Sequence, residues 1–173
     1  MRMNTRGRYG IQLMTQLACR DADPKPVGLK EIARITGLPW RYLEQIAGPL
    51  RKASLIAGRP GRAGGHRLGR SPDLITLREV LETTTGSLSL MDCVDTPSVC
   101  DHSQTCASRH IWVTVTQELR DVLDRYTLSD LAMRPCAGCR AAAAKARDTR
   151  TPARPSRRGS STSRRRKDIR SNE

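Results

Sequence analysis

Apolar positions recur every three or four residues over most of the first 132 positions and then stop. Tyr9, Leu13 and Leu17, widened by Ile11, Met14 and Ala18, predict a helix over about 5–20. Asp21-Ala22-Asp23-Pro24-Lys25-Pro26 reads as a turn or loop. Leu29, Ile32 and Ala33 give a short helix over 29–35, and Thr36-Gly37-Leu38 a turn. Pro39 suits the first position of the next helix, where its missing N–H costs nothing. That helix turns Leu43, Ile46 and Leu50 inward, and Gly48-Pro49 predicts a break or kink near its end. Two short helices across a glycine-containing turn make a helix-turn-helix.

Leu55-Ile56-Ala57 and His66-Arg67-Leu68 then bracket a loop rich in Gly and Arg, the pattern of a two-stranded wing with an exposed tight turn. Thr76 and Glu79 have capping-box spacing, so a helix opens at Leu77 and runs to about 81 or 82. Residues 84–105 lack apolar rhythm and read as irregular, which at that length suggests a functional or ligand-held segment. Rhythm returns near Arg109. Ile111, Val115, Leu119, Val122 and Tyr126, widened by Trp112, Val113 and Leu123, predict a long helix whose broad apolar face suits a two-fold dimer interface. Thr127 and Asp130 open a short final helix with a second capping-box pattern.

Composition changes the picture mainly at the end of the chain. Of 173 residues, positions 133–173 hold 13 Lys or Arg against 3 acids, whereas positions 1–132 hold 18 against 14. The net charge of +14 therefore comes mostly from a Ser-, Arg- and Pro-rich tail, which reads as disordered. Arg157-Arg158 and Arg164-Arg165-Arg166-Lys167 would add DNA affinity without sequence choice. No apolar run has signal-peptide or membrane-spanning length, so a soluble cytoplasmic protein is expected.

The candidate chemistry is in the cysteines. In a reducing compartment, six of them favour metal binding or redox chemistry over a disulfide framework. Cys93, Cys100 and Cys106 fall within fourteen residues, at spacings wider than the CxxC pairs of a zinc knuckle. Thiolates suit iron–sulfur centres and zinc, and ordinary cysteines also fit. A fourth ligand stays open among His110, His102, Asp92, Asp95 and Asp101, with Arg109 as electrostatic support. Cys19 reads as a small buried side chain. Cys136-Ala137-Gly138-Cys139 is a CxxC without a thioredoxin context. There is no phosphate loop, dinucleotide fingerprint or pocket-forming carboxylate pair, which argues against an enzyme.

The order of these pieces resembles the Rrf-type winged-helix regulators, the family typified by IscR and NsrR. The resemblance rests on Met1 to Tyr9, on Leu29-Lys30-Glu31-Ile32-Ala33, and on Tyr42-Leu43-Glu44-Gln45-Ile46 with Leu50-Arg51-Lys52-Ala53. It continues through Gly61 to Leu68, Ile75-Thr76-Leu77, the three cysteines, Trp112 and Tyr126-Thr127-Leu128-Ser129-Asp130-Leu131. The wing arginine is displaced, with Pro60-Gly61-Arg62-Ala63-Gly64-Gly65 in place of an unbroken glycine run. The family's cluster histidine falls at Arg109, with His110 one step later, and its N-terminal carboxylate ligand falls at Arg8.

The resemblance implies a homodimer on pseudo-palindromic promoter DNA, carrying an iron–sulfur cluster, with 2Fe-2S favoured over 4Fe-4S. The expected fold is mainly α with a small β-wing. A winged helix-turn-helix DNA-binding domain (1–83) precedes a cluster loop (84–108), a dimerisation helix with a short closing helix (109–135) and a basic tail (136–173). Cys93, Cys100, Cys106 and His110 are the candidate cluster ligands. Trp40, Arg41, Tyr42, Glu44, Gln45, Arg59 and Arg62 are the candidate DNA contacts. The expected function is a transcriptional regulator, a repressor sensing cluster status or oxidative stress. The alternatives are a nitric-oxide-sensing repressor and a protein whose metal is only structural.

Overall fold

Asn4 starts the fold by accepting the Gly7 N–H at 2.8 Å, which caps α1 (Thr5–Ala18). The computed structural model describes residues 4–61 and 64–134. Arg62, the tail, Cys136 and Cys139 lie outside these described residues. One side of α1 buries Leu13, Met14, Leu17 and Ala18. The side facing α4 (Leu77–Thr85) is made of small residues. A Cβ on Gly10 would lie 2.7 Å from Thr84 Cγ2, and one on Gly7 2.8 Å from Thr85 Cγ2. The two helices therefore touch at a separation that any larger residue would widen.

α2 (Leu29–Thr36) ends on Gly37, whose φ of 73° is the left-handed cap that glycine adopts without strain. α3 (Trp40–Lys52) corrects two expectations. Pro39 is its cap, not its first turn, and the helix runs through Pro49. The residue before Pro49 is Gly48, which has no Cβ to meet the proline ring. Leu50, fully buried, holds the last turn in the core. The hydrophobic contribution of such a side chain, about 1.5–3 kcal/mol, offsets much of the roughly 3 kcal/mol that an interior proline costs.

β1 (Ile56–Arg59) and β2 (Gly65–Leu68) form the antiparallel wing, in register from Ile56↔Leu68 to Arg59↔Gly65. β2 is also tied to the start of α2. His66 N–H donates to the Val27 carbonyl at 2.8 Å and Val27 N–H to that of His66 at 2.9 Å. Gly65 makes this approach feasible, since a Cβ there would lie 2.6 Å from the Val27 carbonyl. Leu43, Ile46, Leu55, Ile56, Ile75 and Val80 complete the core with α1 and α2.

Both capping boxes form where the spacing predicts them, at Thr76 with Glu79 and at Thr127 with Asp130. α4 runs three residues beyond its expected end, to Thr85. The stretch expected to be irregular contains α5 (Asp92–Asp95) and a 3-10 turn, Pro97–Val99. α6 (Ala107–Asp124) starts two residues before Arg109. The chain then returns to the segment that joins the wing to α4: Leu77 N–H donates to Tyr126 O at 2.9 Å and Leu128 N–H to Ile75 O at 3.0 Å. α7 (Leu128–Ala132) buries Leu128 against the common core.

Candidate nucleic-acid interface and cysteine loop

α3 presents Trp40, Arg41, Glu44 and Gln45 to solvent because its other face is taken by Leu43, Ile46, Ala47 and Leu50. Lys30 of α2 and Arg41 both approach the Trp40 ring, at 5.4 and 5.8 Å from its centroid. That places two cations and an indole at the entrance of the helix. Tyr42 departs from expectation. It is half-buried, and its ring meets Tyr9 of α1 edge to face, so it props the helix instead of facing outward.

Arg59 is exposed at the outer end of β1. The sequence reading overlooked Arg51 and Lys52, exposed in the last turn of α3. Two adjacent basic residues ending α3 were the available signal. The Arg51 side chain runs along the wing, 3.8 Å from where a Cβ on Gly58 would sit. It helps, after burial, to lower the pKa of His66. His66 packs on the wing as half-buried, and its Nδ1 is buried without a hydrogen-bond partner. Arg51 thus supplies a cation between helix and wing, where neither element alone would place one.

The three loop cysteines are free thiols, all half-buried. Cys93 lies in α5, Cys100 ends the 3-10 turn, and Cys106 caps α6. The Ser108 hydroxyl, 3.1 Å from the Cys106 sulfur, and then the Arg109 backbone N–H pull that thiol below its ordinary pKa. A thiolate at the start of an 18-residue helix is also favoured by the helix dipole. Arg109 supports the site as expected. Its Nε donates to the Cys93 carbonyl at 3.0 Å, which ties the first cysteine to the turn that follows the last.

His110 and His102 are exposed, as are Asp92, Asp95 and Asp101. Asp95 is held down to about 2 by hydrogen bonds from Ser87 and Ser89 and then from Arg120. Among the described residues, no three Cys, His, Asp or Glu side chains converge where a metal ion could sit. The donor chemistry suits a thiolate-bound centre, whereas this loop conformation does not gather the sulfurs. Cys19, expected as a small buried side chain, is half-buried at the end of α1 and disulfide-bonded.

The family profile described as "Rrf2: Iron-dependent Transcriptional regulator" matches residues 3–134. The chain belongs to the Rrf2 family. It is 35% identical over 132 residues to the regulator CymR of Bacillus subtilis, covering 76% of this chain and 90% of that one. It is 31% identical over 133 residues to IscR of Vibrio cholerae, covering 77% and 76%. The solved structure of CymR, the global cysteine regulator of B. subtilis, superposes with a TM-score of 0.63 at 34% identity, covering 76% and 96%. The structure of T. potens IscR gives 0.59 at 29%, covering 90% and 94%. This Rrf2 chain is therefore a DNA-binding transcriptional regulator and not an enzyme. No described helix is long and apolar enough to cross a membrane.

Proposed function

We propose that this Rrf2 regulator is a homodimeric repressor whose promoter affinity follows the state of an iron–sulfur cluster on the 93–106 loop. The observation that carries the reading is the loop itself: three free thiols, one drawn toward its thiolate, directly before the long helix. Cys93, Cys100 and Cys106 would hold the cluster, leaving one position to a weaker ligand, for which His110 is one candidate. When bound, such a centre would supply the redox response. The family description as iron-dependent and the likeness to IscR support this reading.

Dimerisation rests on α6. Ile111 is 58% exposed, Val115 42% and Val122 38%, and of its 18 residues only Thr116 is buried. An apolar stripe left open from Ile111 to Val122, about 17 Å of helix, suits a second copy. Glu44 and Gln45 would read base edges in the major groove. Arg51, Arg59 and Arg62 would hold phosphates or the minor groove.

A second reading, that the chain answers to cysteine supply instead, is favoured by its likeness to CymR. Anaerobic purification with iron and sulfide analysis separates the two. Iron and sulfide in the wild type, lost when any one loop cysteine becomes Ala, support the cluster. Stoichiometric zinc without iron, or no metal at all, overturns it.

A further inference from the structure

α6 meets the rest of the protomer through a polar seam. Thr116 is fully buried on its inward side. Arg120 follows one turn later on the same face, its side chain 20% exposed. Arg120 Nη2 donates to Asp95 Oδ1 at 3.0 Å, and its Nε lies 3.4 Å from Glu82 Oε1. Asp95 closes α5, two residues after Cys93, while Glu82 belongs to α4. One guanidinium thus joins the cysteine loop to the DNA-binding half.

The connection continues. Glu82 Oε1 accepts a hydrogen bond from Arg78 Nε at 3.2 Å and is only ion-paired with Arg120, so two arginines face one carboxylate oxygen. Arg78 Nη1 donates to Asp124 Oδ2 at 2.9 Å, and the Thr76 hydroxyl donates to Asp124 Oδ1 at 3.3 Å. Thr76 caps α4, and α4 packs against both α1 and α3. The seam is also incompletely satisfied: Arg120 Nε and Thr116 Oγ1 are buried without hydrogen-bond partners. Such groups are costly to leave unmade, and a seam of this kind is held less firmly than interdigitated apolar side chains. It is suited to exchange between two arrangements.

We propose that Arg120 is the positioning residue that couples the cysteine loop to the α4–α3 unit. The inference rests on the reading of that loop as the sensing element. Gathering Cys93 and Cys100 moves Asp95, which lies between them. Arg120 then shifts its pairing toward Glu82 and competes with Arg78 for the shared oxygen. The Arg78–Asp124 contact and the α4 cap adjust, and α3 moves with α4. Arg120 needs no contact with either the cluster or DNA.

The test compares full-length wild type, Arg120→Met, Arg120→Lys and Asp95→Asn, each loaded with cluster and then stripped by chelation. The probe is a DNA duplex selected with the wild type from a random-sequence pool. The wild-type affinities in the two states should differ by about fivefold or more, the usual range for coupled sites. In Arg120→Met that ratio should fall close to one while iron and sulfide content is kept, and Arg120→Lys should restore part of it. Asp95→Asn should do the same from the loop side, which keeps the test decisive should Arg120→Met fail to fold. In cluster-free protein, hydrogen exchange over 92–95 should quicken in both Arg120→Met and Asp95→Asn, a readout independent of the cluster. A responsive wild type with equally responsive variants, or unchanged exchange over 92–95, overturns the role of Arg120 alone. A wild type with one affinity in both states overturns the sensing reading and this inference with it.

Discussion

Tyr42 of the recognition helix meets Tyr9 of the first helix edge to face, ring centroids 5.5 Å apart and planes at 87°. The pair fixes how α3 leaves the core and so where the exposed side chains beside Tyr42 point. Edge-to-face pairs are worth about 0.5–1.5 kcal/mol beyond their burial. A double-mutant cycle with Tyr9→Leu and Tyr42→Leu should return a coupling of that size in urea unfolding. Strictly additive losses would show that the rings do not support each other. Tyr42→Phe keeps the packing and should leave operator affinity unchanged.

DNA readout should divide by element. Glu44→Ala should change which bases are preferred under α3, because a carboxylate there accepts from cytosine N4. Arg59→Ala and Arg62→Ala should weaken all duplexes alike and reduce the salt slope by about one each. Arg51→Ala should behave as the wing arginines do. Salt-titrated affinities on matched and altered duplexes check all four, and a wing variant that altered base preference would contradict the division.

His66 carries a pH dependence. Burial first, and the Arg51 charge second, lower its pKa below the ordinary 6.5. The unfolded chain therefore takes up the proton first as pH falls. The stability associated with neutral His66 is fully present above 6.5 and declines as pH drops from there through the folded value. Tm measured from about pH 8 down to 5 should fall less steeply in His66→Gln than in the wild type. Parallel profiles would show that His66 does not titrate in this way.

The exposed stripe of α6 should close on a second copy. Val115→Glu, a charge placed among apolar side chains that need burial, should convert a dimer to a monomer in analytical ultracentrifugation at micromolar concentration. It should also weaken operator binding by removing one of two half-site contacts, which a dimer places about 34 Å apart. A wild type that sediments as a monomer with and without cluster contradicts the assembly.

Local rules made much of the fold readable. Thr76 with Glu79, and Thr127 with Asp130, are three residues apart, and each starts a helix where the spacing placed it. The three cysteines and the wing glycines were readable for the same reason. What escaped depends on partners distant in sequence. Pro49 stays helical because Leu50 is buried by other elements. Tyr42 faces Tyr9 across the core, and Arg120 reaches Asp95 and Glu82, 25 and 38 positions away. Neither pairing leaves a periodic trace in the chain.

The most direct test follows operator affinity and the visible absorbance of one anaerobic sample during graded exposure to oxygen, nitric oxide and chelator. The account predicts that affinity changes in step with loss of the cluster, and that the agent acting at the lowest dose identifies the signal. Affinity that stays constant while the cluster is destroyed would contradict it and leave the loop a structural element.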